Sequence, residues 1–308
     1  MRNWLLGSAF VVTWSSGFVG AALAGPTMAP APLLAWRYLL ATAVLLAACL
    51  LVPVPHERGV LSARSLLQQL VLGILAHVVF LGGVFGAAAA GLDAGVSALV
   101  CALQPLAVAA AGFVAFRDRL GARQWLGLLV GIGGVALSVG TTGGSAAAGV
   151  WLVVGSLLGL SASSLLERAW APRVPLLWSL TLQTAVGAAC FTVWALATTG
   201  MPLSTSPSFA LALAWLVLFS GLGGYASFTA CLRRLGPTAT STLLYLTPAV
   251  TAVWAWGMFG QALSGPQLAG IAVVSAGVGL TLVKPRRGGG SAPHSLGREN
   301  RRPGTLRS

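Results

Sequence analysis

Ten apolar runs, each near twenty residues and parted by short connections, dominate the chain: 4–24, 31–52, 66–88, 94–116, 123–140, 147–167, 176–198, 208–231, 237–259 and 265–283. A helix of roughly 20 apolar residues spans the hydrocarbon core of a bilayer, and inside that core a helix satisfies its own backbone polar groups. A water-soluble fold would need a polar exterior instead. Only 7% of the 308 residues are charged and 56% are hydrophobic, against about 25% charged in a soluble domain. The expected fold class is therefore an all-α membrane protein with ten transmembrane helices.

The formal charge of +13 raises the question of nucleic acid, and the placement of the charges answers against it. Arg2, then Arg58 and Arg64, then Arg117, Arg119 and Arg123, then Arg168 and Arg173, then Arg233 and Arg234, then the basic tail fall in alternate loops, all on one side. Cytoplasmic loops carry such an excess. The opposite side holds Asp93 and no Lys or Arg, so both termini are expected in the cytoplasm. The single exception among 18 basic residues is Arg37, inside the second run. Residues 285–308, rich in Gly, Pro, Arg and Ser, read as a disordered basic tail. Arginine outnumbers lysine, a bias that suggests a bacterial inner (plasma) membrane.

The runs also repeat. With an offset of 143, Pro105 meets Pro248, Gln124 meets Gln267, Gly127 meets Gly270, Gly134 meets Gly277, and Pro32-Leu33-Leu34 meets Pro175-Leu176-Leu177. The first run meets the sixth at an offset of 148, pairing Ser15-Ser16 with Ser163-Ser164. Each copy, 1–141 and 146–284, holds five helices, so the second enters the membrane from the opposite face. Inverted repeats of this kind make inward-open and outward-open states near-mirror packings around a site at the midplane.

This organisation, over residues 4–283, resembles the EamA-type family of the drug/metabolite transporter superfamily. The resemblance is carried by Gly95 to Gln104, Pro105 and Arg117-Asp118-Arg119-Leu120, and by the matching Thr240 to Thr247, Pro248 and Gly260-Gln261-Ala262-Leu263. The family often has glutamate after the fourth and ninth helices, where this chain has Asp118 and Gln261. The resemblance implies secondary transport, typically efflux of amino acids or other small metabolites.

Ionisable groups within a bilayer are costly and point to function. Arg37 reads either as a clamp for an anion or carboxylate, or as a side chain snorkelling to the headgroups. His77 reads as the carrier of a coupling proton or as a buried neutral ring bonded to a neighbouring helix. Glu167 and Asp93 read as interfacial residues or caps. The expected substrate-binding set is Trp14, Ser15, Arg37, Gln104, Ser163, Tyr225, Tyr245 and Thr247, with packing between helices as the competing role for the serines. Pro105 and Pro248 each free a carbonyl one turn earlier and are expected to break helices at the cavity. Gly127, Gly131 and Gly134 put a small-residue face on the fifth helix, read as packing within the chain. Cys49, Cys101, Cys190 and Cys231 lie in apolar runs without metal-ligand spacing, and no nucleotide loop ends in Gly-Lys-Ser/Thr.

The expected protein is a transporter, not an enzyme, with no cofactor, no metal and no catalytic residue. Its partners are a small-molecule solute and the lipid bilayer, with no nucleic acid. Export of a small metabolite by alternating access, coupled to protons, is the leading expectation. An uncoupled facilitator or exchanger and a non-transporting sensor or assembly subunit are the alternatives.

Overall fold

The computed structural model describes residues 2–24, 29–51, 62–117, 121–139, 144–202, 206–261 and 264–282. The tail 285–308, Asp118, Arg58 and Arg119 lie outside them, as does the side chain of Tyr225. The described residues form α1 (Arg2–Ala24), α2 (Pro30–Leu51), α3 (Ala63–Gly73), π1 (Ile74–Val79), α4 (Phe80–Ala89), α5 (Ala94–Cys101), α6 (Gln104–Phe116), α7 (Ala122–Val139) and α8 (Ser145–Trp170). They continue as α9 (Leu176–Thr198), α10 (Pro207–Ala214), π2 (Trp215–Gly223), α11 (Gly224–Leu244), α12 (Thr247–Phe259) and α13 (Gly265–Leu282). The described residues contain no strand.

Among them, seven stretches are long and apolar enough to cross a bilayer: Asn3–Leu23, Pro30–Leu51, Ala63–Ala89, Ala94–Phe116, Ala146–Trp170, Leu176–Thr198 and Pro207–Phe228. Trp125–Leu137 and Gly265–Ala276 are shorter apolar helices. The eighth and ninth runs depart from their expected bounds. No loop parts them at Gly236-Pro237, because α11 continues to Leu244 and the chain leaves the helix only at Tyr245-Leu246. Proline removes one N–H, but the surrounding Leu, Ala and Arg favour helix, and helices in membranes tolerate the loss.

The two halves reproduce each other's irregularities at the offset of 143. α5 ends at Cys101 and α6 begins at Gln104; α11 ends at Leu244 and α12 begins at Thr247. α6 and α12 end at Phe116 and Phe259, each closed by a residue in the left-handed region, Arg117 (φ 56) and Gly260 (φ 66). π1, shifted by the same offset, falls within π2.

The halves also interlock. α1 lies along π2 and α11, with Gly20 against Leu216 and Thr13 Oγ1 2.8 Å from Ser227 Oγ. Its counterpart α8 lies along α4 and π1, with Gly159 against Val79 and Gly83 against Leu152. Each repeat thus packs its first helix on the π-containing helix of the other. α2 and α9 run antiparallel, Tyr38 packing on Gly187 and Cys49 Sγ meeting Thr181 Oγ1 at 3.3 Å. α7 packs against α13 so closely that a Cβ at Gly134 would stand 2.9 Å from the Gly270 carbonyl oxygen. The small-residue face of the fifth run is therefore spent inside the chain, as small residues between membrane helices commonly are.

At one end Asp93 and Gln267 tie the repeats together. Gln267 Nε2 donates to Asp93 Oδ2 at 3.2 Å, and Gln261 Oε1 accepts from the Ala94 N–H at 3.4 Å. Asp93 occupies the N-cap position of α5, but its side chain makes no capping hydrogen bond there. Leu33, Leu34, Phe85, Phe191 and Leu216 anchor the principal core cluster. Large apolar side chains such as Trp4, Leu51, Val114 and Trp151 face outward, an exterior that suits lipid.

Candidate functional site: a cavity between the repeats

A cavity of about 610 Å³ lies where the repeats meet, lined from α1, α2, π1, α4, α8, α9, π2 and α11. Both π segments contribute, Ala76 and His77 from the first, Leu216, Val217, Ser220, Gly221 and Leu222 from the second. π-helical turns are rare and frequently mark functional sites. In π2 the local sequence permits one because a Cβ at Gly221 or Gly223 would come within 3.2 Å of the carbonyl oxygen five residues earlier, Leu216 or Leu218. His77 and Ser220, equivalent under the 143-residue offset, both line the cavity.

One wall carries a linked polar cluster. Arg37, 8% exposed, reaches from α2 to donate from one guanidinium nitrogen to Ser220 Oγ at 3.4 Å. Its guanidinium carbon lies 5.6 Å from the Tyr38 ring centroid. Tyr38 Oη lies 2.8 Å from His77 Nδ1, with the two rings nearly perpendicular at 85°. His77 Nε2 meets no partner of hydrogen-bond geometry. Behind it, Gln69 Oε1 accepts from Ser179 Oγ at 2.7 Å and from Gln183 Nε2 at 2.8 Å, joining α3 to α9.

The remaining wall is apolar, with Trp14, Phe18, Phe80, Leu81, Leu160 and Leu180. Trp14 belongs to an aromatic group with Phe10 and Phe228, at centroid separations of 5.7 and 5.5 Å. Arg234, an exposed side chain, also lines the cavity. The described lining residues include no Asp or Glu.

Of the residues singled out from sequence, Trp14, Arg37 and His77 come together here. Ser15, Gln104, Ser163, Tyr245 and Thr247 are not among the described lining residues, and the side chain of Tyr225 lies outside the described residues. Ser15 is fully buried and its Oγ donates to the Thr247 carbonyl at 3.4 Å, joining α1 to the start of α12. Thr247 is buried with its own hydroxyl lacking a hydrogen-bond partner. Gln104 Nε2 donates to Ser164 Oγ at 3.0 Å, and Ser163 is buried in α8. Tyr245 packs beside a second core cluster that includes Leu99 and Leu103.

Pro105 and Pro248 sit in the first turns of α6 and α12, immediately after the helix breaks, and neither is among the cavity-lining residues. Glu167, at the C-terminal end of α8, gives its carbonyl to the Ala171 N–H that closes the helix. Ser220 and Tyr38 were missed from sequence. The signal for Ser220 was its place 143 residues after His77, and for Tyr38 its adjacency to Arg37.

The sequence profile of the EamA-like transporter family matches residues 3–140 and again 147–283. A crystal structure of a protein with no further description superposes at a TM-score of 0.59 and 20% identity, over 91% of this chain and 96% of that one, which supports the fold. No curated protein matches the chain. With both halves covered by the profile, the chain is a multi-pass membrane protein of the EamA-like transporter family.

Proposed function

We propose that the protein is a secondary transporter that exports a small metabolite, such as an amino acid or a related organic solute, through the cavity between its repeats. The observation that carries this reading is that both π segments, one from each repeat, line the same cavity. The chain crosses a bacterial inner membrane ten times, as two inverted five-helix repeats over 1–141 and 146–284, with both termini cytoplasmic. Antiparallel packing of the equivalent helices α2 and α9 supports the inversion, and the one-sided loop arginines support the orientation. Alternating access then follows from exchange of the two repeat conformations around a fixed site.

Trp14, Arg37 and His77 form the substrate site with Ser220 and Tyr38, and His77 carries the coupling proton. Ser15, Gln104, Ser163, Tyr245 and Thr247 act in helix packing at the break points, where Pro105 and Pro248 interrupt the helices. An exchanger without proton coupling is the second reading, favoured by the lack of Asp or Glu among the described lining residues.

Purified protein in sealed liposomes, loaded with a mixed amino-acid and metabolite pool, tests both. Flux that rises with an imposed pH gradient and loses that response in His77→Ala supports coupled export. Flux indifferent to the gradient leaves the exchanger. Solute binding without flux in any condition refutes transport and favours a sensor.

A further inference from the structure

The cavity's charge and shape narrow the solute beyond the transport reading, on which this inference rests. We propose that the preferred solute is an amphipathic organic anion without an ammonium group, its carboxylate held by Arg37 and Ser220 and its apolar body against Trp14, Phe18 and Phe80.

The charged side chains among the described lining residues are Arg37 and Arg234, and neither Asp nor Glu faces them there. Arg37 is 92% buried by its residual exposure of 8%, so its charge acts in a medium of low polarity, where Coulomb interactions are strong. An entering carboxylate gains a charge-assisted hydrogen bond from the guanidinium. Arg234, exposed at the cavity, adds attraction for anions before they dock.

An ammonium group in the same space meets the positive charges of Arg37 and Arg234, with no carboxylate among the described lining residues. A buried unpaired charge is expensive, and a repulsive element of this kind discriminates more sharply than a missing attraction. An amino acid, which the transport reading also admits, gains at one end and loses at the other, so it is held less tightly than its deaminated analogue, a related organic solute that only gains.

Gly17 and Ser220 both line the cavity, and a Cβ at Gly17 would stand 3.0 Å from Ser220 Oγ, so a larger residue there would crowd the hydroxyl that meets the carboxylate. The volume of about 610 Å³ is in the usual range for small-molecule sites. The rest of the described lining is mainly aromatic and aliphatic.

Four probes with one body test the charge alone: 3-phenylpropanoate, phenylalanine, phenethylamine and 3-phenylpropanamide. Binding to the full chain in detergent is measured by ligand-dependent thermal stabilisation, and flux by counterflow in proteoliposomes. The expected order is the propanoate at least tenfold tighter than phenylalanine or the neutral amide, with the amine weakest. Arg37→Gln is expected to abolish the preference for the propanoate over the amide, and Arg37→Lys to retain most of it.

Equal or tighter binding of phenylalanine or the amine to the wild type overturns the proposal, a result that does not depend on any variant folding. So does an Arg37→Gln protein that folds and still prefers the propanoate, and so does no binding of the propanoate at all. Anion-selective binding with no flux for any probe sinks the transport reading but not the assignment of the ligand. Flux of the amine or of phenylalanine in preference to the propanoate does the reverse.

Discussion

Gly187→Ala is the substitution that most cleanly disturbs the polar wall without touching the solute. A Cβ at position 187 would lie 2.7 Å from Tyr38 Cδ1 and 2.8 Å from Cε1. Ordinary contact begins near 3.4 Å, so the ring must retreat by about 0.7 Å or α2 must part from α9. The ring has little room for this. Phe191 packs against it at a centroid distance of 5.3 Å, and its hydroxyl is bonded to His77 at 2.8 Å.

Overpacking of a close-packed site costs about 1–3 kcal/mol, and losing the Tyr38–His77 bond costs about 1 kcal/mol more. The expected destabilisation is therefore roughly 2–4 kcal/mol if the ring cannot move, and less if α2 yields. Reversible unfolding of the purified protein in detergent measures it, beside transport in liposomes. A double-mutant cycle with Tyr38→Leu isolates the contact. The branched but flexible leucine is expected to relieve most of the Gly187→Ala penalty. A single Gly187→Ala protein as stable and active as wild type, or a penalty unchanged in the Tyr38→Leu background, refutes the reasoning.

Three further outcomes are expected. Gln183→Leu removes the donor shared by Gln69 Oε1 and Ser179 Oγ and destabilises by about 1–3 kcal/mol, while the Gln69→Leu/Gln183→Leu pair recovers part of that loss in the same unfolding assay because fewer polar groups are left stranded. Gly134→Leu, which drives a side chain into the Gly270 carbonyl and Val274 of α13, lowers the unfolding midpoint far more than Gly133→Leu, whose Cβ would meet nothing within 4 Å. Arg37→Gln removes a charge-assisted bond worth about 1.5–3 kcal/mol and slows initial solute flux at least tenfold, with Arg37→Lys between it and wild type.

The repeat and the helix breaks were legible because they rest on local signals that survive in sequence. Pro105 and Pro248 mark the breaks after Cys101 and Leu244 because proline cannot donate to the preceding turn. The position of the cavity was only partly legible. The prolines point to the breaks, whereas the cavity is lined by the π segments around His77 and Ser220, each 28 residues before the proline of its half. A π turn has no strong composition signal, and the glycines that accommodate this one, Gly221 and Gly223, are lost among the 40 glycines of the chain. Arg37 and His77 stood out because charged or titratable groups are scarce within membrane spans. Ser15 and Gln104 did not separate from packing residues, since a hydroxyl or amide looks the same in sequence whether it faces a solute or, as here, Thr247 and Ser164.

Alternating access through the cavity between the repeats is the central claim, and solvent accessibility of one cavity residue from each face of the membrane tests it directly. Ser220→Cys, in a chain whose four native cysteines are replaced, is treated in oriented proteoliposomes with a membrane-impermeant thiol reagent added to one side at a time. The account predicts labelling from both sides, with transported solute protecting the thiol and blocking by the reagent abolishing flux. Labelling from one side only, whatever solute or gradient is applied, would contradict it.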